Sequence, residues 1–231
     1  MVIARKFNIK FQQIRVFKYL RDMYNRSVYG SDSPLYAERL WIDPRDVIAV
    51  DHDRIMELGW GYYSSGKVIQ NWPFNDGDYR SIWELPKVSQ CIKRFNHNMS
   101  WEETGAYDHY RDFRNKKDGI RKYTDEEILS RHREFDAIYE QVKEEKRLRT
   151  ISELESNYFR EEGGILIHIG PKGELVFSET GSHRLAFALI LEIPMIPVQI
   201  GVVHKNAIPL IEKYRRKPLS LESETEEIHE I

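Results

Sequence analysis

Apolar positions recur every three or four residues at the start of the chain. Phe7, Phe11, Ile14, Phe17 and Tyr24, with Leu20 beside them and cations in the gaps, predict an amphipathic helix over residues 6–25. Gly30-Ser31-Asp32-Ser33-Pro34 breaks it. The pattern then shortens to strands: Leu40-Trp41-Ile42, a turn at Asp43-Pro44, and Val47 to Val50. Residues 59–77, rich in Gly, Tyr, Trp and Asn, read as loop with a short strand at Lys67 to Ile69. A helical pattern returns over Ile82 to Asn96 through Leu85, Val88, Ile92 and Phe95. Ser100 with Glu103, Thr124 with Glu127 and Ser152 with Glu155 have the spacing of capping boxes, in which hydroxyl and carboxylate satisfy each other's orphan amides. The second opens a long charged helix to about Arg149.

The last third is the best organised. Ile165 to Ile169 and Glu174 to Ser178 form a hairpin about Gly170-Pro171-Lys172-Gly173. Thr180-Gly181-Ser182 introduces an apolar helix from about His183 to Leu191, and Pro197 to Val203 is a β-branched strand. A helix from Asn206 precedes the tail. The class is α+β, with a mixed sheet, an N-terminal amphipathic helix and a helical insertion at about 80–160. The expected units are 1–34, 35–205 and 206–231.

Charge adds a second layer. Thirty-five Lys and Arg oppose 37 Asp and Glu, a net of −2, which lacks the cationic surplus of a nucleic-acid coat. Five glutamates fall in residues 219–231, and without them 35 cationic side chains face 32 anionic ones. At the other end Arg5, Lys6, Lys10, Arg15, Lys18, Arg21 and Arg26 face only Asp22. Such a helix can dock on DNA or an anionic surface through Lys10, Arg15, Lys18 and Arg21. The simpler reading is a helix packed on the domain with its cations solvated. Lone Cys91 excludes an internal disulfide and a Cys-based zinc site, and within Val88, Ile92 and Phe95 it reads as core. No apolar run reaches the roughly 20 residues of a membrane span, and no signal peptide is seen, so a cytoplasmic protein is expected.

The candidate chemistry lies at Glu179-Thr180-Gly181-Ser182-His183-Arg184, where a strand hands over to a helix. Unpaired amides and the helix dipole favour an anion there, Gly181 permits close approach, and Ser182, His183 and Arg184 add donors. Read alone, this is equally an ordinary capped helix. Glu179 is the nearest acidic group; Asp76, Asp78 and Glu38 are further candidates. Leu166 and His168 lie on the strand face opposite Ile165, Ile167 and Ile169. His168, His204 and Trp72 are candidate pocket residues, although a structural role suits both histidines. The aromatic loop Trp60, Tyr62, Tyr63, Trp72, Phe74 can stack a base or pack over the sheet edge. His97, His109 and the Asp51-His52-Asp53 triplet read as exposed polar residues.

The run from Gly173 to His204, GELVFSETGSHRLAFALILEIPMIPVQIGVVH, resembles the core motif of the ParB/sulfiredoxin-like superfamily. There a strand, a Gly-x-His-Arg turn, an Ala- and Leu-rich helix and an Ile-Pro-Val strand follow in this order, matched here by Gly181 to Arg184, Leu185 to Leu191 and Ile196-Pro197-Val198. Trp41 to Ile48 is similar to the family's opening strand. The resemblance implies a nucleotide pocket for ATP, ADP or CTP, with Gly181, Ser182, His183 and Arg184 as phosphate contacts. It also implies Mg-dependent phosphoryl transfer or NTP hydrolysis, with Glu179 and His183 as catalytic candidates. Ser182 stands where sulfiredoxins keep their reactive cysteine, which argues against that activity. The alternative is a non-catalytic adaptor on DNA or a membrane, docking through the basic N-terminal helix.

Overall fold

The computed structural model describes residues 2–116, 123–155 and 158–216, the side chains of 2–15 and 112–116 excepted. The predicted periodicities become α1 (Val2–Tyr29), β1 (Arg39–Ile42), β2 (Val47–Ala49) and, after the unpredicted α2 (His52–Glu57), β3 (Val68–Ile69); an unpredicted β4 (Arg80–Ser81) follows. Four helices follow: α3 (Pro86–Asn96), α4 (Ala106–Lys116), α5 (Asp125–Glu145) and α6 (Ile151–Leu154). The chain returns through β5 (Leu166–Ile169), β6 (Leu175–Phe177), α7 (Ser182–Ile190), β7 (Ile196–His204) and α8 (Glu212–Arg215). The fold is α+β. One mixed sheet runs β1-β7-β5-β6-β2-β4, with β3 also on β7.

All nine residues of β7 are buried, as its central place and continuous apolar run require. Ile165, Ile167, Ile169, Val198 and Ile200 share a core with Leu185, Phe187 and Ala188 of α7 and with Val88 and Cys91 of α3. Cys91 is fully buried there, and burial pushes its thiol up to about 12. A smaller cluster of Val50, Ile55, Trp60, Phe74, Val176 and Val202 lies apart from this core. The aromatic loop therefore packs on the sheet through Trp60 and Phe74, with Trp72 against both.

Two capping boxes differ from expectation. Before α6 the box is Thr150–Glu153 rather than Ser152–Glu155, because Thr150 holds the extended cap conformation and Ser152 instead accepts a bond from Arg39 Nη2 at 2.8 Å. Ser100 and Glu103 do bond reciprocally, but they close turns, and α4 begins only at Ala106 after Gly105 at φ +77°. The Thr124–Glu127 box opens α5 as expected.

The larger correction concerns α1. Its cations are not all solvated, and apart from Tyr29 on the core and Tyr19 edge-on to Phe159 its C-terminal half packs through polar side chains: Lys18, Asp22 and Asn25 are 8, 6 and 2 % exposed, whereas Phe17 is 69 % exposed. Lys18 Nζ meets Glu162 at 2.5 Å, and Asp22 accepts from Tyr36 N and Arg160 Nη2, both at 2.7 Å. Asn25 Nδ2 donates to Pro34 O and Gly66 O, and Arg21 Nη1 to Tyr63 O and Ser65 O. The surface beneath α1 offers main-chain amides and carbonyls, which polar side chains alone can satisfy. Lys18 and Arg21, two of the four proposed cationic contacts, are thus engaged inside the molecule. Lys10 and Arg15 lie outside the described side chains.

Candidate functional site

Two strands 128 residues apart in sequence meet to make the site. β2 and β6 pair in parallel, with Val47 opposite Leu175 and Ala49 opposite Phe177, so both run out at one edge of the sheet. Crevices beyond the carboxyl ends of parallel strands are where open α/β sheets bind ligands. After β2 the chain passes through Asp51, whose side chain caps α2 by accepting from Asp53 N at 2.8 Å, to His52. After β6 it passes through Glu179 and Gly181 to α7. His52 Nδ1 and Glu179 Oε2 come to 3.9 Å, and Nδ1 is a buried atom without a hydrogen-bond partner. His52 is half-buried rather than exposed as expected.

The turn itself is tight. Gly181 has φ +83°, and a Cβ there would sit 2.9 Å from Ile165 Cα, so only glycine fits between the helix start and β5. Glu179 has φ +61°, an unusual conformation for a residue with a side chain. Ser182 Oγ donates to Glu179 O rather than capping α7, and Leu166 N donates to Thr180 O. These two bonds hold the loop.

Cations gather beside it. Lys87, second residue of α3, is held below the ordinary lysine range by burial; Glu179 opposes that shift and Arg131 adds to it. Burial also pushes His183 down to about 3, helped by Lys87, Arg131, His132 and His109, so its imidazole is neutral near pH 7. The ring stacks on Phe135 at 3.8 Å between centroids. Arg131 lies over Phe135 and donates to Tyr110 Oη.

Arg184 takes another direction. Adjacent helical residues project about 100° apart, and Arg184 Nη2 donates to Arg149 O, beyond the end of α5. Glu161 and Tyr62 are among the groups that it feels. Gly181, Ser182 and His183 therefore stay with Glu179, and Arg184 is drawn to the α5–α6 connection by a main-chain carbonyl.

The remaining candidates are occupied elsewhere. His168 is fully buried, accepts from Val202 N through Nδ1 at 2.9 Å and lies 5.1 Å from Trp60, so it belongs to the aromatic cluster. His204 bonds Gln70 O through Nε2 and accepts from Asn206 N through Nδ1. Trp72 Nε1 donates to Tyr79 Oη. None of these four bonds reaches the Glu179 turn, and His168 Nε2 is buried without a hydrogen-bond partner. Asp76 pairs with Lys172 on the β5–β6 turn, at the opposite end of β6 from Glu179. Asp78 pairs with Arg54, and Glu38 with Arg215. Among the described residues no three His, Cys, Asp or Glu converge as a metal-ligand group.

His52 and Lys87 are the residues that sequence reasoning did not select. A signal for His52 existed, its position directly after a β-branched strand; Lys87 had none. Comparison of the chain with family models, with curated proteins and with solved structures finds no match in any of the three.

Proposed function

We propose that the edge where β2 and β6 end binds a phosphate-bearing small molecule, and that a nucleotide, ATP, ADP or CTP, is its class. The observation that carries this reading is the glycine-led start of α7, beside which stands the half-buried Lys87 with Glu179 as the carboxylate it feels. Partly buried cations call for compensating anions, and Glu179 is the one carboxylate felt by Lys87, against which Arg131 adds positive charge, which leaves room for a second anion. In this arrangement Lys87 and the first-turn amides of α7 hold phosphate oxygens. His183, neutral and stacked, shapes the wall and offers one ring N–H. Arg184 donates to Arg149 O at the α5–α6 connection instead of touching phosphate.

Phosphoryl transfer or NTP hydrolysis is the finer proposal. Glu179 has the place for it, as a base toward an acceptor hydroxyl or as the single carboxylate that Mg²⁺ commonly needs beside substrate phosphates. The adaptor alternative is weakened, because Lys18 and Arg21 have partners inside the molecule.

Calorimetric titration with ATP, ADP and CTP in the presence of Mg²⁺ tests the reading. Loss of one charge-assisted phosphate contact weakens binding at least tenfold, so Lys87→Ala is expected to do so while Lys172→Ala, at the far end of β6, does not. Absence of binding to all three, or equal affinity in Lys87→Ala, overturns it.

A further inference from the structure

The exposed face of α1 reverses the usual logic of a surface helix. Its polar side chains at 18, 21, 22 and 25 are turned inward, and Val16, Phe17, Leu20, Met23, Tyr24 and Val28 stand between 50 and 69 % exposed. A helix held by Lys18–Glu162, Asp22–Arg160 and the Asn25 clamp is fixed in orientation, so this face is presented rather than loosely attached. Val16, Leu20, Met23 and Ser27 follow a four-three-four spacing, flanked by Phe17 and Tyr24 seven residues apart. That is the seam of a paired helix, where side chains of one partner enter the gaps of the other. The six apolar side chains expose on the order of 500–700 Å² together, at the upper end of what monomers leave open, and twice that area reaches the low end of stable interfaces.

We propose that the occupant of this face is a second copy of the chain, packed through α1 about a two-fold axis. The stripe from 16 to 28 carries no charge at 16, 17, 20, 23, 24, 27 or 28. It offers nothing to phosphates or lipid headgroups, and nothing to the five glutamates of residues 219–231. Its complement is another uncharged apolar stripe, and the chain itself supplies one; two-fold pairing brings the same patch to both sides. Charge also sets the direction. Arg5, Lys6, Lys10 and Arg15 precede the first acidic residue, Asp22. Parallel helices would lay these basic halves side by side. Antiparallel helices crossing between Leu20 and Met23 separate them, and place Val16 opposite Val28 and Leu20 opposite Tyr24.

Light scattering and sedimentation of the full chain at high micromolar concentration test this. The expected mass is twice 27.5 kDa, falling to 27.5 kDa in Leu20→Glu with an unchanged circular dichroism spectrum and melting temperature. Under mild oxidation Met23→Cys should cross-link to itself. Val28→Cys should not, since antiparallel pairing holds the two positions about 18 Å apart along the axis. A monomeric wild type, a dimer unaffected by Leu20→Glu, or cross-linking of Val28→Cys overturns the proposal. So does a dimer that appears only when residues 217–231 are removed, which would make the tail the occupant. Binding of α1 to anionic vesicles by a monomeric chain would do the same.

Discussion

Gly201→Ala reports on what His168 is for. A Cβ at 201 would lie 2.3 Å from His168 Nδ1 and 2.9 Å from Ile167 O, both inside a fully buried part of β5 and β7. The pairing of these strands slips between Ile167 and Ile169, and the imidazole fills the irregularity by accepting from Val202 N at 2.9 Å. An added methyl must expel the ring and orphan that amide. An unsatisfied buried amide costs about 1–3 kcal/mol and overpacking costs about 1–3 kcal/mol more, so a loss near 4 kcal/mol is expected. At roughly 2–4 °C per kcal/mol for a chain of this size, the melting temperature should fall by about 8–16 °C. His168→Ala should cost about 3–4 kcal/mol, from the same lost bond plus a cavity. With the ring gone, only the main-chain contact with Ile167 O at 2.9 Å remains, and Gly201→Ala should add about 1–2 kcal/mol. Urea unfolding of the two single variants and the double variant measures this as a coupling of about 2–3 kcal/mol. Additive losses would refute the reasoning, and a stable His168→Ala that binds nucleotide poorly would return His168 to the pocket.

Two further outcomes follow from burial. His168 and His183 are both pushed down to about 3 by desolvation, so the folded chain stays unprotonated at these rings while the unfolded chain takes up protons below about 6.5. Their contribution is complete above about pH 6.5 and is lost as pH falls toward 3, at up to about 1.4 kcal/mol per pH unit for each ring. Urea midpoints between pH 7 and pH 4.5 should show this fall, reduced by half in His183→Gln; a flat profile would contradict it. Asp22→Ala should cost about 3 kcal/mol, because it strips the Tyr36 amide and Arg160 of their acceptor. Limited proteolysis should then cut near residues 30–34 before the rest of the chain unfolds.

Much of the architecture is written locally. Alternation and β-branching mark β1, β2, β5, β6 and β7, the Gly170–Gly173 turn marks a hairpin, and Thr124 with Glu127 marks the start of α5, since each depends on neighbours a few residues apart. Cys91 announces itself as core in the same way. The turn at Gly181 was also legible, because a glycine between strand and helix is a short-range feature. The Ser152 box failed for an equally local reason, as Thr150 two residues earlier offers the same chemistry with the right backbone.

What the sequence determined by itself was the α+β order of elements, the helix start at Gly181 and its candidate chemistry. Only the tertiary structure decided which side chains share that place. The parallel pairing of β2 with β6 brings His52 to Glu179 across more than a hundred residues, and packing of α3 beside α7 adds Lys87; neither contact leaves a periodic trace. It also decided the face of α1. An amphipathic pattern records that a helix has two faces, but which one is buried depends on what the docking surface offers. Here that surface offers unpaired amides, carbonyls and charges, so the polar face of α1 turns inward and its apolar stripe is left outside.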